Sequence, residues 1–412
     1  MRVVGIFTVL LCSVIQVYSQ GCSLPVAPSD EQHLPILVDN SGSVPKLALP
    51  HHGNIELNKG DKILLSCPNP RNTLTLTKTD SAEAECVGGE TLKILDENQD
   101  YQSVLCAKGL RGSALPTDDE CAEGQGYIIK IGFPQADDQF LTLIEVCYDA
   151  ANGNALYTTH TLYGSEMEYR SKESYRPGFS TAGLAPGVAA NVAYKQATQK
   201  TVLNKLLGSA KLAEQYINRK SFLARGHLSP DADFLFASWQ FATFFYVNTV
   251  PQWQAVNNGN WKRLESLAKD SAAAYDEDLQ VYTGAHGVLS LPDVNGVDTE
   301  IHLSNDKLAV PKFMWKILQS KSSGKAIAFV SLNNPFLTEL DTSDKICTDI
   351  CSDYGWDEEA WSNGAKGFIY CCDVDELLEA VPAGPKLNVK GILAAPGSSC
   401  GLGRFGFRRQ GC

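Results

Sequence analysis

The chain of 412 residues contains no Asn-X-Ser/Thr acceptor site, so N-glycosylation is not expected. Beyond residue 17 it lacks any apolar run approaching the roughly 18–20 residues that span a bilayer, which excludes a bundle of membrane helices. Cationic excess is missing too: 35 Lys and Arg face 47 Asp and Glu, a formal charge of −12. A surface of that sign repels polyanions at long range, so a nucleic-acid partner would require a local exception. Internal repeats and low-complexity segments are absent. Cysteine is absent between residues 148 and 346, although the whole chain has 13.

What is present begins with Arg2 and the mostly apolar run Val3 to Val17, followed by Val17-Tyr18-Ser19. This pattern predicts a secretory signal peptide over residues 1–19, cut after Ser19, and hence a secreted, extracellular protein. A membrane anchor is the other reading, but the run is short and no charge stops it. Removal of Cys12 leaves an even 12 cysteines, six before residue 148 and six after 346. Six disulfides in an oxidising compartment are expected, with connectivity open. Cys347-x-x-x-Cys351 and the vicinal Cys371-Cys372 offer zinc as a rival, without a nearby histidine to support it.

The cysteine map suggests a division of the mature chain. Residues 20–147, rich in Pro, Gly, Thr and Ser with alternating runs at Lys62–Ser66 and Gly126–Ile131, read as a disulfide-stapled β module. Residues 148–412 read as one α+β domain whose segment 346–412 is stapled by cysteines. Strands are predicted at 241–247, 279–282 and 326–330, and helices at 195–216, 261–275 and 373–380.

The informative stretch runs from Phe222 to Glu265. Its Gly226 permits a tight backbone approach before His227, and Pro230 ends the segment soon afterwards. The imidazole is expected at a strand end facing a cleft, where its ordinary pKa suits base chemistry near neutrality. Asn257 opens a helical pattern in which Asn257, Trp261 and Glu265 would share one face. An amide oxygen there suits a hard cation such as Mg²⁺, with the Glu265 carboxylate orienting its waters.

Arg225-Gly226-His227, followed by Asn248-x-x-Pro251-Gln252-x(4)-Asn257-x-Gly259-x-Trp261-x-x-Leu264-Glu265, resembles the signature of the DNA/RNA non-specific endonucleases of the ββα-metal fold. Val281–Gly284, Val310–Lys316 and Ala328–Pro335 resemble later strands of that family, so the likeness covers roughly residues 150–390. The resemblance implies a ββα-metal core with a mixed or antiparallel sheet and flanking helices. It also implies a Mg²⁺-dependent phosphodiesterase, with Mn²⁺ as a substitute, acting on double- and single-stranded DNA and on RNA without a membrane partner. Carried over by position, His227 is the general base, Asn257 the metal ligand, and Arg225 a phosphate or transition-state contact. Glu265 is a catalytic-site carboxylate, and Arg176, Asn248, Gln252 and Lys269 contact substrate or shape the site; Arg170 is the alternative to Arg176. Products ending in 5′-phosphate and 3′-hydroxyl are implied. The cysteine-rich N-terminal module and paired terminal cysteines most resemble secreted arthropod nucleases of saliva and gut.

The common family pattern begins with aspartate where this chain has Ala224, which puts metal affinity or pH dependence in question. A secreted nucleic-acid-binding protein with weak or no catalysis is the second reading, opposed by the presence of His227 and Asn257. A separate adhesive or inhibitory role for the N-terminal module is the third. Trp253 and Trp261 are expected to pack rather than stack on bases, His51-His52 to lie in an exposed loop, and Gly401-x-Gly403-x-x-Gly406 to be a chance match to a dinucleotide fingerprint. The charge objection is met locally: from Lys195 to Arg225 seven cations face the single acid Glu214. Such contacts read phosphates, so weak sequence preference and strong salt inhibition are expected.

Overall fold

The computed structural model describes residues 21–27 and 31–398. The expected signal peptide, the glycine-rich fingerprint match, Cys400 and Cys412 lie outside the described residues. The frame is an eight-stranded antiparallel sheet. Its strands are β1 (Ser113–Cys121), β2 (Gly126–Pro134), β3 (Phe140–Asp149), β4 (Asn154–Leu162), β7 (Leu279–Val288), β8 (Pro311–Ser320), β9 (Ala326–Leu332) and β10 (Ile369–Cys372), in spatial order β10-β9-β8-β7-β4-β3-β2-β1. Between β4 and β7 the chain inserts helices α1 (Gln196–Leu207) and α2 (Ala210–Tyr216), the hairpin β5 (Leu223–His227) and β6 (Thr249–Trp253), and helix α3 (Lys262–Tyr275). A short helix α4 (Val374–Ala380) follows β10, its first turn capped by the Asp373 carboxylate.

β8 and β9 are covered on both faces, which is why they read as nearly continuous apolar runs. Met314, Leu318, Ile327 and Phe329 join the core that also holds Trp253, Trp261 and Leu264, whereas Trp315, Ile317, Ala328 and Val330 face a second core with Tyr370 and Leu377. Register then fixes a polar row on the first face: Thr158 pairs with Thr283, and Thr283 with Lys316. These three side chains are fully buried under the inserted segment.

The division expected at residue 147 does not hold. Strands β1 and β2 precede that point and β3 runs through it, yet all three belong to the main sheet, in which β3 pairs with β4. The separate N-terminal sheet has six strands between Ile36 and Asp100. Disulfides Cys22–Cys86 and Cys67–Cys106 staple that smaller sheet, while Cys121–Cys147 lies in the main one. Cys347–Cys372 and Cys351–Cys371 fasten the C-terminal segment to β10, which removes the zinc reading.

Two local expectations also change. The predicted helix 195–216 is two helices, broken where Gly208 takes φ 68°. The predicted strand 241–247 is instead the end of a short helix, Ala237–Phe241, and a turn beginning at Tyr246. A fully buried apolar run of seven residues carries no period to distinguish the alternatives. Here Gln240 and Asn248 side chains satisfy the main chain in place of a strand partner. No helix among the described residues is long and apolar enough to cross a membrane.

Candidate active site

The inserted hairpin carries the first half of the signature. His227 pairs with Thr249, Gly226 with Val250, Arg225 with Pro251 and Ala224 with Gln252. Strand alternation therefore sends Arg225 and His227 to one face and Ala224 to the other. The fully buried Gln199 of α1 anchors the start of the hairpin, donating to the Leu223 carbonyl at 2.7 Å and accepting from its N–H at 2.9 Å. Asn333 fastens the far strand, donating to the Pro251 carbonyl and accepting from the Trp253 N–H.

The tight approach expected at Gly226 is made against the Gln252 side chain. A Cβ at this position would lie 2.5 Å from Gln252 Oε1 and 2.7 Å from Gln252 Cβ. Gln252 is wholly buried, and neither its Oε1 nor its Nε2 has a hydrogen-bond partner. Asn248 is also wholly buried, but its amide is fully engaged with main chain. It donates to the Ser229 and Thr243 carbonyls and accepts from the Ser229 N–H. The expected substrate contact at Asn248 is thus corrected: its side chain fixes the loop after His227 and has no surface to offer.

His227 ends β5 as expected, but its ring is enclosed on one side. Phe179 and Phe244 each lie 5.1 Å from it, centroid to centroid, and Nε2 is buried without a partner. Burial, with the Arg176 guanidinium adding to it, holds the imidazole down at about 3. The ring is therefore neutral across the physiological range, and its basicity is lowered from the ordinary value expected from sequence. Phe179 belongs to an irregular strap, residues 170–189, that crosses the hairpin by hydrogen bonds between Ser180 and the main chain of Phe244 and Tyr246. Arg176 on the same strap forms an ion pair with Asp231 and lies over Phe244 at 5.9 Å. Arg170 instead donates to the Met167 carbonyl. Arg225, exposed at its tip, stands over the rings of Phe179, Tyr194 and Tyr246 at 5.3, 5.6 and 5.6 Å. This cage steers the guanidinium while leaving its N–H groups free for an anion.

The second half of the signature departs from a single regular helix. Asn257 ends a short helical turn, and Gly259 takes φ −96°, ψ −123° before α3 begins at Lys262. A Cβ on Gly259 would lie 2.6 Å from the Lys366 carbonyl oxygen. The shared face expected for Asn257 and Glu265 is therefore interrupted, and Asn257 is set by the break. Trp253 and Trp261 are buried packing residues as expected.

Beneath α3 the polar row of the sheet closes into a charged network. Asp233, six residues after His227, accepts from His160 Nε2 at 3.0 Å and meets Lys269 Nζ at 3.5 Å. Lys269 also donates to the Glu265 carbonyl at 2.7 Å, so it ties the loop after His227 to α3. Ser229 bridges to Thr158 and His160, both at 2.9 Å, and Lys316 donates to Thr283 at 2.6 Å. Burial opposes the charge on Asp233, yet Lys269, His160 and Lys316 outweigh it and hold the carboxyl at about 2. Burial pushes Glu265 up to about 7, with Lys316 and Lys269 pulling the other way. Burial lowers both His160 and Lys316.

Among the described residues, no cluster of three or more His, Cys, Asp or Glu side chains forms a metal cage. The donor set fits a different kind of site. The Asn257 amide and the Glu265 carboxylate have no hydrogen-bond partner among the described residues, and a partly desolvated carboxylate without one favours a nearby cation. A hard cation that keeps most of its waters needs few direct protein contacts, and one amide oxygen can anchor it.

The sequence profile of the DNA/RNA non-specific endonuclease family matches residues 124–377, which spans both halves of this site and the main sheet. The chain belongs to that family. A salivary endonuclease from Lutzomyia longipalpis is 33% identical over 344 residues, covering 82% of this chain and 78% of its own. A salivary endonuclease from Culex quinquefasciatus is 23% identical over 376 residues, covering 90% and 91%. The salivary protein Tsal2A from Glossina morsitans morsitans is 23% identical over 378 residues, covering 90% and 94%. The protein is a nuclease of a metal-dependent class, with nucleic acid as substrate, and its disulfides fit an oxidising compartment.

Several residues around the site of this endonuclease escape a reading of motifs. Asp233, His160 and Lys316 come from three separate segments, the turn Asp231–Asp233 and two strands of the main sheet, and meet only in the fold. Phe179, Tyr194, Phe244 and Tyr246 look like ordinary core residues in sequence. The one available hint is Lys316: a lysine inside an apolar strand is expensive to bury unless it has a task.

Proposed function

We propose that this secreted endonuclease hydrolyses DNA and RNA with little sequence preference, using His227 as general base and Mg²⁺ held at Asn257. The observation that carries the reading is the imidazole at the end of β5, flanked by Phe179 and Phe244, in a loop tied through Asp233 and Lys269 to the helix that bears Glu265. The neutral ring takes a proton from water as the water oxygen bonds to phosphorus. The bond from phosphorus to the 3′ oxygen then breaks, and that oxygen is protonated from solvent, leaving 5′-phosphate and 3′-hydroxyl ends. Arg225, steered by its aromatic cage, neutralises charge gathering on the non-bridging oxygens. Arg176, on the strap beside His227, would exchange its ion pair with Asp231 for a neighbouring phosphate. When bound, the cation supplies Lewis-acid stabilisation of charge on phosphate and leaving oxygen. Gln252 shapes the floor under Gly226, and saliva is the proposed setting.

Purified protein is incubated with plasmid DNA and with double-stranded RNA, in Mg²⁺ or EDTA, beside His227→Ala and Asn257→Ala. Cleavage of both substrates in Mg²⁺, lost in EDTA and reduced at least a hundredfold by His227→Ala, is the expected result, in line with general-base contributions of roughly 10²–10⁴. Undiminished cleavage by His227→Ala would refute the base assignment, and binding without cleavage by the unmodified protein would favour the non-catalytic reading.

A further inference from the structure

We propose that the N-terminal module of this nuclease extends the substrate track. A groove formed by Lys108, Arg111 and Tyr175 would take the sugar–phosphate backbone and one unstacked base of a strand leaving the His227 centre. The inference rests on the nuclease reading and names a binding subsite within it. The groove encloses about 460 Å³ between the loop that closes the smaller sheet and the strap bearing Arg176, with Asn69, Pro177 and Phe241 also in its wall. Lys108 and Arg111 are exposed, and neither has an ion-pair partner among the described residues.

Their main chain is nonetheless held rigidly. The buried Asn72 amide donates to the Lys108 carbonyl and accepts its N–H at 3.0 and 2.9 Å. Asn69 does the same for Arg111 at 2.7 and 3.0 Å, and the Cys67–Cys106 disulfide closes the segment. Two unneutralised cations on a fixed loop cost little ordering entropy when an anion arrives. Tyr175 is 44% exposed and packs at right angles to the buried Phe241 with ring centroids 5.4 Å apart, so much of the phenol ring is open to a base. The nearby acids Glu173 and Glu31 accept from the Tyr175 N–H, Gln32 and Ser171, and neither is paired with Lys108 or Arg111 among the described residues. Arg176 sits between Tyr175 and Pro177 in the chain and lies over Phe244, which touches His227. Cations beside an aromatic platform, continuous with a phosphate-cleaving centre, are what a non-specific strand track requires.

The test uses the full-length protein with Lys108→Ala/Arg111→Ala, the charge-retaining Lys108→Arg/Arg111→Lys, and Tyr175→Ala. Binding of a labelled long oligonucleotide is measured in EDTA, and cleavage of long and very short oligonucleotides in Mg²⁺. The double alanine variant should weaken binding of the long strand at least tenfold and flatten the salt dependence by about 1.4–1.8 in log–log slope, roughly 0.7–0.9 per phosphate contact. It should leave kcat and the short substrate unchanged, and the charge-retaining variant should restore binding. Tyr175→Ala should weaken single-strand binding roughly 5- to 150-fold, the range for loss of one stacked base. Unchanged affinity and salt slope in the double alanine variant, or equal losses on long and short substrates, would overturn the proposal. Because binding is read without cleavage, failure of the nuclease reading would show as an inactive unmodified protein and leave the groove separately testable.

Discussion

Replacing Gln252 by methionine should make the protein more stable and less active. Both polar atoms of this side chain are buried and unpartnered, and the residue directly across the strand is Ala224, which offers nothing to bond. A buried polar group left without a partner costs about 1–3 kcal/mol. Methionine has similar length, adapts to irregular space and carries no such group. Allowing for imperfect repacking, Gln252→Met should gain about 1–2 kcal/mol, a rise in Tm of roughly 2 °C in a chain of this size. Equilibrium urea unfolding with disulfides intact measures the gain as a higher midpoint at unchanged slope. Initial cleavage rates in Mg²⁺ measure the loss, expected to be tenfold or more if the amide, packed under Gly226, sets the backbone that carries His227. Stability and activity moving in opposite directions is the mark of a group retained for function. A lower urea midpoint would show that the amide is satisfied in the folded protein and would refute the reasoning.

Gly226→Ala should destabilise by about 1–3 kcal/mol through overpacking on Gln252, and Gly226→Ala combined with Gln252→Ala should recover most of that in urea unfolding. Asp233→Asn should cost about 3–5 kcal/mol because it strands Lys269, whereas the double variant with Lys269→Met should cost less than Asp233→Asn alone. Phe244→Leu should admit water to His227 and move the acid limb of kcat upward, from a base held at about 3 towards the ordinary histidine value. The linked stability term has a definite sign. The folded state binds the His227 proton more weakly than the unfolded chain, so its contribution is intact above the unfolded pKa. That contribution is lost as pH falls from about 6.5 towards 3, and Phe244→Leu should shrink this slope in unfolding measured against pH.

The catalytic motif was legible because its chemistry is local. His227 ends a strand next to an obligatory glycine, and the helix bearing Glu265 shows its period plainly. The placement of Asn257 was not, since a turn broken at Gly259 depends on the distant Lys366 carbonyl. The limits of the β module were misjudged for a related reason. Cysteine spacing marks where staples lie, but Cys121 and Cys147 staple strands of the main sheet, whose continuity rests on pairing between β3 and β4. Asn248 and Lys269 are legible as site positions, but what they touch is not. Their side chains bind the protein itself, a distinction that spacing cannot make.

An overall charge of −12 and a polyanionic substrate are reconciled by where the cations lack partners. Lys62, Lys93, Lys345 and Lys386 are each paired with a carboxylate. On α1, α2 and the turn leading into β5 only Lys200 is paired, with Glu214. Lys195, Lys205, Lys211, Arg219 and Lys220 are exposed there, with no ion-pair partner among the described residues. An approaching phosphate chain responds to charges within about 10 Å at 0.1 M salt, not to the total. Acids distributed elsewhere therefore keep the protein soluble without cancelling attraction along the path to Arg225. Reversing two members of this stripe, Lys211→Glu with Lys220→Glu, should lower kcat/KM for long DNA at low salt by about tenfold or more while leaving kcat intact. The deficit should narrow as salt rises, since the Debye length shortens to about 3 Å at 1 M. A deficit that stays constant with salt would mean that these lysines act by contact or by folding rather than through the field.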